Sequence, residues 1–308
     1  SSNNKDDTSS VNKKNSSSKN SNIMPKEIYE AMPEVDITSR IEKLLNTASK
    51  SSEKWSVRKG ALEAATNITS SAGRLSSSCD FAHAYEVIKN SFKDTTLWIR
   101  IASMNLTAAF ACTGRHLFAH YAKRLLPDLF LLYKEKKNIH VTAVNACLDS
   151  ICMCCISLED ICEMRVFKLC KTSGTNPFVI ENTLYFLVRM IQAGPSLDAH
   201  LVKGLIEVSS FLSSNGKSPD VRKGATNIGA AIIEKLGKDN SIVQEMLSEL
   251  QMSHKGLYDK LTKSKSDSNK RSSISKRTST GSHAGGKRNL PGPGRTSLPP
   301  TEKQVKTA

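Results

Sequence analysis

The pentapeptide Val57-Arg58-Lys59-Gly60-Ala61 recurs unchanged at Val221-Arg222-Lys223-Gly224-Ala225, 164 residues further on, an interval that divides into four periods of 41. Stepping through at about that period, by 41, 41, 40 and 42 residues, meets Val57, Trp98, Ile139, Val179 and Val221, and four residues after each lie Ala61, Ala102, Ala143, Thr183 and Ala225. A large apolar residue followed one helical turn later by a small one lets two helix backbones pack closely. The register therefore predicts one helical hairpin repeated about every 41 residues, within the roughly 40–47 residues of two-helix solenoid repeats. A fold of this kind offers edges and faces to partners, and its ligands are read from those edges.

Apolar periodicity places helical pairs at about 37–49 with 53–70, 79–92 with 96–113, and 116–134 with 138–156. Further pairs fall at 159–171 with 177–193 and at 196–213 with 219–236, and a less regular sixth pair occupies 240–263. Asp36 or Thr38 is the expected cap of the first helix and Ser52 that of the second, because their oxygens can accept from unpaired N–H groups. The fold class read from this pattern is all-α, an α-solenoid of about six HEAT-type hairpins. The expected domains are a disordered polar segment at 1–32, the repeat domain at 33–263, and a disordered basic tail at 264–308. Neither end carries enough apolar area to offset chain entropy.

Charge follows the same division. Of the net +15, residues 251–308 contribute 13 basic and 3 acidic groups, so two thirds of the excess sits in the last 58 residues, most of it in the tail. A flexible basic tail suits an extended acidic surface. Lys270, Arg271, Lys276, Arg277, Lys287 and Arg288 are its expected contacts. The tail lacks the aromatic residues that stack on nucleic-acid bases, which disfavours nucleic acid as its partner. No apolar run approaches the roughly 18 residues of a membrane-spanning helix, and no signal-peptide pattern is present. The first residue is not Met, so the chain reads as a fragment of something longer.

The eight cysteines show no framework spacing, as expected of a reducing cytosol. Cys147, Ile151, Cys154 and Cys155 trace one helical face, which favours core packing over a metal site, and no metal or cofactor is expected. No histidine stands in a nucleophile motif and no glycine loop is shaped for phosphate, so no enzyme is read here.

The turns inside the hairpins fall at Lys54-Trp55, Thr95-Thr96, Lys136-Lys137-Asn138, Thr175-Asn176-Pro177 and Lys217-Ser218-Pro219. In a stacked solenoid these turns share one edge. Trp55 lies two residues before the Val57 stripe, so it is expected to be exposed on that edge. Trp98 shares register with Val57 and is expected to be buried, which makes Leu97 the exposed apolar residue of the second turn. Arg222 is the preferred cationic contact, since a guanidinium grips a carboxylate in bidentate fashion. Arg58 is read as structural, and Asn176 as a helix cap that can also touch a partner.

Trp55-Ser-Val-Arg58, Lys93-Asp94-Thr95-Thr96, the stretch from His120 to Val141, Asn176-Pro177-Phe178-Val179 and Ser218-Pro219-Asp220-Val221-Arg222-Lys223 together resemble the tumour-overexpressed-gene (TOG) domain of the microtubule polymerase family. The CLASP branch shares much of this pattern, while the Asn-Pro fourth turn and the third repeat favour the polymerase branch. The resemblance departs at Thr96, where many members have Asn, and at Thr175, where many have Lys. It implies a non-enzymatic module whose turn edge binds curved αβ-tubulin, the first turns engaging β-tubulin and the fifth α-tubulin. The implied contacts are Trp55, Thr96, Leu97, Lys136, Lys137, Asn138, Asn176, Arg222 and Lys223. The tail would attach to the microtubule lattice, and Thr296-Ser297-Leu298-Pro299 resembles the tag recognised by end-binding proteins. Location at the cytoskeleton follows, at plus ends, spindle or spindle poles. A generic HEAT scaffold, using its helical face rather than its turns, is the alternative.

Overall fold

The computed structural model describes residues 23–194 and 196–263, and the tail residues named above lie outside that range. The repeat register becomes a series of helical hairpins. α1 (Lys26–Ala31) and the two-residue strand β1 (Glu34–Val35) precede the first hairpin, formed by α2 (Thr38–Ser49) and α3 (Trp55–Ala72). β2 (Arg74–Leu75) pairs in parallel with β1. The second hairpin is α4 (Ala82–Ser91) with α5 (Leu97–Gly114), and the third is α6 (Ala119–Leu131) with α7 (Asn138–Cys154). The first helix of the fourth repeat is divided into α8 (Leu158–Ile161), a π turn (Cys162–Val166) and α9 (Phe167–Lys171), followed by α10 (Pro177–Ala193). α11 (Ala199–Asn215) with α12 (Pro219–Leu236) and α13 (Ser241–Ser253) with α14 (Lys255–Lys263) complete the set.

The second helices stack on one another, α3 on α5 on α7 and α10 on α12, around a continuous core. Small side chains allow the approach: Ala61, Ala65, Ala102, Ala143, Thr183 and Ala225 are all buried. Glycine makes the closest contacts. A Cβ on Gly204 would lie 2.6 Å from the Phe167 ring, and one on Gly229 would lie 2.8 Å from Leu261. Between the third and fourth repeats the joint is mixed. Phe130 meets Phe186 edge-on at 5.7 Å, and Arg189 donates from Nη2 and Nε to Asp149 at 2.7 and 3.2 Å.

Three expectations change. Residues 26–31, assigned to a disordered segment, form α1 instead. Its one aromatic, Tyr29, is buried, donates its hydroxyl to the Thr113 carbonyl at 2.9 Å, and lies beneath the Arg115 guanidinium at 3.9 Å. A single anchor in a polar stretch leaves no periodicity to detect. Ser52 does not cap α3, which begins later, at Trp55, after Lys54. Asp36 is the group that caps at α2, accepting from the Thr38 N–H at 2.8 Å, and this bond lowers its pKa to about 2.

Val57 and Trp98 form the third correction, and it is one of register. Counted from the first residue of each second helix, the third positions are Val57, Ile99, His140, Val179 and Val221. All but Val57 are buried, Ile99 and His140 completely. The spacings along this series are 42, 41, 39 and 42 residues, so a uniform step of 41 slips by one at the second and third repeats. Trp98 and Ile139 therefore occupy the second helical position, on the solvent side, 42% and 49% exposed. Val57 is in core register but belongs to the first of the stacked second helices, and it stays 44% exposed.

Candidate functional site

The turns within the hairpins form a contiguous edge, because the first four are tied each to the next and the fourth lies beside the fifth. Arg58 bridges the first two turns: its Nη1 lies 2.8 Å from Asp94 Oδ2, both side chains largely enclosed, while its Nε donates to the Ala48 carbonyl at 3.0 Å. Asp94 is shared, since its Oδ1 accepts from the Thr96 N–H at 2.7 Å and so starts α5. From the second turn Arg100 reaches Glu135 at 3.4 Å in the third. Lys136 of the third turn sits 5.7 Å above the Phe178 ring in the fourth. Thr175 and Pro177 of the fourth line a cleft with Gly216 and Lys217 of the fifth.

Local chemistry sets what each turn displays. Asn176 accepts from the Phe178 N–H at 2.9 Å, and Pro177 follows at the first helical position, where its missing N–H costs nothing. Ser218 accepts from the Val221 N–H at 3.2 Å, again followed by a proline. With these caps satisfied internally, the side chains left over face outward. Trp55 is 49% exposed at the first residue of α3. Lys136, Lys137, Asn138, Asn176 and Lys223 are exposed, and Thr96 is half-buried.

Two more of the expected contacts are half-buried rather than fully exposed. Leu97 is half-buried, and the exposed apolar group of the second turn is Trp98. Arg222 is half-buried and donates from Nη1 to the Gly216 carbonyl at 2.7 Å, closing the fifth turn, whereas Lys223 projects free of any ion pair among the described residues. Val57 and Ile139 are edge residues that the sequence reading placed in the core. For Ile139, as for Trp98, counting from the helix start rather than from a fixed period gives the proper side, whereas Val57 holds core register and is exposed because α3 is the first of the stacked second helices.

The resulting edge alternates exposed apolar groups (Trp55, Val57, Trp98 and Ile139) with the cations Lys54, Lys136, Lys137 and Lys223. Aromatic side chains held on rigid helix starts give contact area at little entropic loss on binding. The lysines add attraction for a negatively charged partner. Nothing along this edge brings a nucleophile to a base.

The cysteines behave as core groups, with Cys147, Cys162 and Cys170 buried. Cys112 and Cys154, on adjacent helices, approach to 4.0 Å between sulfurs. Sharing a proton across that contact pulls the Cys112 thiol down to about 7 and pushes Cys154 up. Glu159, Glu163 and His200 bring their ligand atoms within 4.8 Å of one another on the surface. Their interaction is an ion pair, His200 Nε2 lying 2.9 Å from Glu163 and its pKa raised by that bond.

No protein-family model matches the chain. Protein MOR1 of Arabidopsis thaliana is 28% identical over 221 residues, 69% of this chain and 11% of that protein. A solved structure from work on microtubule plus-end tracking by XMAP215, CLIP-170 and EB1 superposes with a TM-score of 0.63 at 23% identity, covering 77% of this chain and 96% of that one. A second structure, on tubulin recruitment by microtubule polymerases with TOG domain arrays, superposes with a TM-score of 0.61 at 23% identity, covering 76% of this chain and 48% of that one. The chain is thus similar over most of its length to these proteins and shares the fold of the solved TOG-array structure. The chain spans between 10% and 22% of the length of the curated relatives it matches. Its hairpins are the HEAT-type repeats read from the sequence, and its five turns form the edge described above.

Proposed function

We propose that this chain is a TOG domain that binds αβ-tubulin along its turn edge, within a larger regulator of microtubule growth at the cytoskeleton. The observation that carries the reading is the contiguity of that edge. Ion pairs join the first three turns, Lys136 over Phe178 joins the third to the fourth, and the fourth borders the fifth; together they present Trp55, Trp98 and Ile139 beside unpaired lysines. An edge of that length and rigidity suits one large, preorganised acidic partner better than a short peptide. Tubulin is the partner of that kind named for the TOG arrays of similar fold. The edge holds the free, curved dimer and releases it as the dimer straightens in the lattice.

The tail at 264–308 acts on this reading as a tether. Its cations, among them Lys270, Arg271, Lys276, Arg277, Lys287 and Arg288, hold the complex near the acidic lattice and raise the local dimer concentration. Thr296-Ser297-Leu298-Pro299 adds a docking tag for end-binding proteins. The domain itself begins before residue 33, since α1 belongs to it.

Size-exclusion chromatography with unpolymerised tubulin tests the central claim. Wild type co-elutes with tubulin at micromolar protein, and Trp55→Ala or Trp98→Ala abolishes the shift. Absence of a wild-type complex would overturn the function; a complex unchanged by both substitutions would overturn the site. Pelleting with polymer, with and without residues 264–308, measures the tether separately.

A further inference from the structure

Beside the fourth turn lies a cavity of about 490 Å³ whose charge is one-sided. Lys134, at the end of the third repeat's first helix, enters from one wall, and Arg165 and Lys168 enter from the other. Arg165 and Lys168 stand three residues apart across the π turn and α9, so they project from the same side of the helix. Among the described residues no carboxylate lines this cavity, and none of the three cations takes part in an ion pair. The contrast with neighbouring cations is sharp: Arg100 has Glu135, Arg189 has Asp149 and Lys171 has Glu207. The Nε of Arg165 is buried without any hydrogen-bond partner. Arg100 and Arg115 leave the same nitrogen unpaired, and what sets Arg165 apart is that its charged neighbours in the cavity are further cations.

The floor of the cavity adds neutral donors. The loop Thr172-Ser173-Gly174-Thr175 turns at Gly174, whose φ of +87° is open to glycine, with empty space where a Cβ would stand. The amide N–H groups of Ser173 and Gly174 donate to no protein acceptor among the described residues, and the Ser173 hydroxyl is likewise uncommitted. Three cations and several free N–H or O–H donors thus line one small volume. A carboxylate offers two oxygens and one charge to such a set. A phosphoryl group offers three oxygens and close to two charges, and Arg165 can hold two of those oxygens side by side.

We propose that this cavity binds a phosphoryl group, carried on a phosphorylated side chain or on a small phosphate ester. It borders the tubulin-facing edge at Asn176, but it does not rest on that assignment, and its test contains no tubulin. The full chain, labelled with ¹⁵N, is titrated with inorganic phosphate at constant ionic strength maintained by chloride. Saturable shifts are expected at the Ser173 and Gly174 amides. In Arg165→Gln/Lys168→Gln the dissociation constant should rise at least about tenfold, as expected for lost charge-assisted bonds, while Lys203→Gln leaves it unchanged. Lys134→Gln, at an exposed position, gives the same reading should the double variant unfold. A phosphoseryl hexapeptide binding about tenfold tighter than free phosphate identifies a side-chain ligand, and equal affinity identifies a small ester. Shifts that track chloride alone, or charge-removing variants that bind phosphate as tightly as wild type, overturn the site. A glutamyl peptide that equals the phosphoseryl one overturns the phosphoryl assignment.

Discussion

Asp94 holds the turn edge together at its most demanding point, and removing it gives the sharpest test of how the edge is built. Its Oδ2 lies 2.8 Å from Arg58, with the two side chains only 12% and 16% exposed, and its Oδ1 caps α5 through Thr96 at 2.7 Å. Asp94→Ala strands the Arg58 charge in a mostly enclosed site. Such losses run to about 3–5 kcal/mol for full burial, and the residual exposure brings this to about 2–3 kcal/mol. Loss of the cap adds about 1 kcal/mol. The expected total, about 3–4 kcal/mol, should lower Tm by roughly 10 °C in a domain of this size. Asp94→Asn retains an oxygen for Thr96 and should cost about 2 kcal/mol, the ion-pair share alone. Urea denaturation followed by circular dichroism measures each, and Arg58→Met completes a double-mutant cycle. Because the pair fixes Trp55 relative to Trp98, tubulin affinity should fall in Asp94→Ala even at temperatures where the domain stays folded. A loss below about 1 kcal/mol, or an Arg58–Asp94 coupling near zero, would refute the reasoning.

Other outcomes follow from the same geometry. Trp98→Ala should weaken tubulin binding about 30-fold, equivalent to a hot spot of about 2 kcal/mol, with Tm nearly unchanged; thermophoresis and thermal melting read the two effects separately. Arg222→Ala should lower stability by about 1–2 kcal/mol by freeing the Gly216 carbonyl, whereas Lys223→Ala should leave Tm alone and weaken tubulin binding in low salt. Burial, with the Arg100 charge adding to it, pulls His140 down to about 4 from its ordinary 6.5. Between those values the unfolded chain binds the extra proton, so stability is complete above about pH 6.5 and falls as pH drops toward 4, by roughly 3 kcal/mol in all. His140→Leu, which also removes two unpartnered buried ring nitrogens, should flatten that slope in urea titrations at stepped pH; an unchanged slope would assign the acid sensitivity elsewhere.

How much of this was legible beforehand depends on which residues carried it. The small residues Ala61, Ala102, Ala143, Thr183 and Ala225 gave the repeat and hence the fold class, because close helix stacking tolerates little else at those positions. The caps at Asn176 and Ser218, each followed by proline, fixed the fourth and fifth turns through bonds between near neighbours. Trp55 was placed on the edge by its position before α3. The assignments that failed needed distances the chain does not encode locally. One interval two residues shorter and two intervals one residue longer cancel over the whole repeat, so the register looked uniform while Trp98 and Ile139 had turned outward. Arg222 bonded to a carbonyl six residues back, a choice between partner and turn that composition cannot make. Tyr29 was anchored by groups more than 80 residues distant. The amino-acid pattern alone determined that this chain stacks helical hairpins and where each hairpin turns. Tertiary packing decided which residues at each turn face outward and which cations remain unpaired. Burial and charge balance are set by neighbours from the adjoining repeat, and those neighbours arrive only when the chain folds.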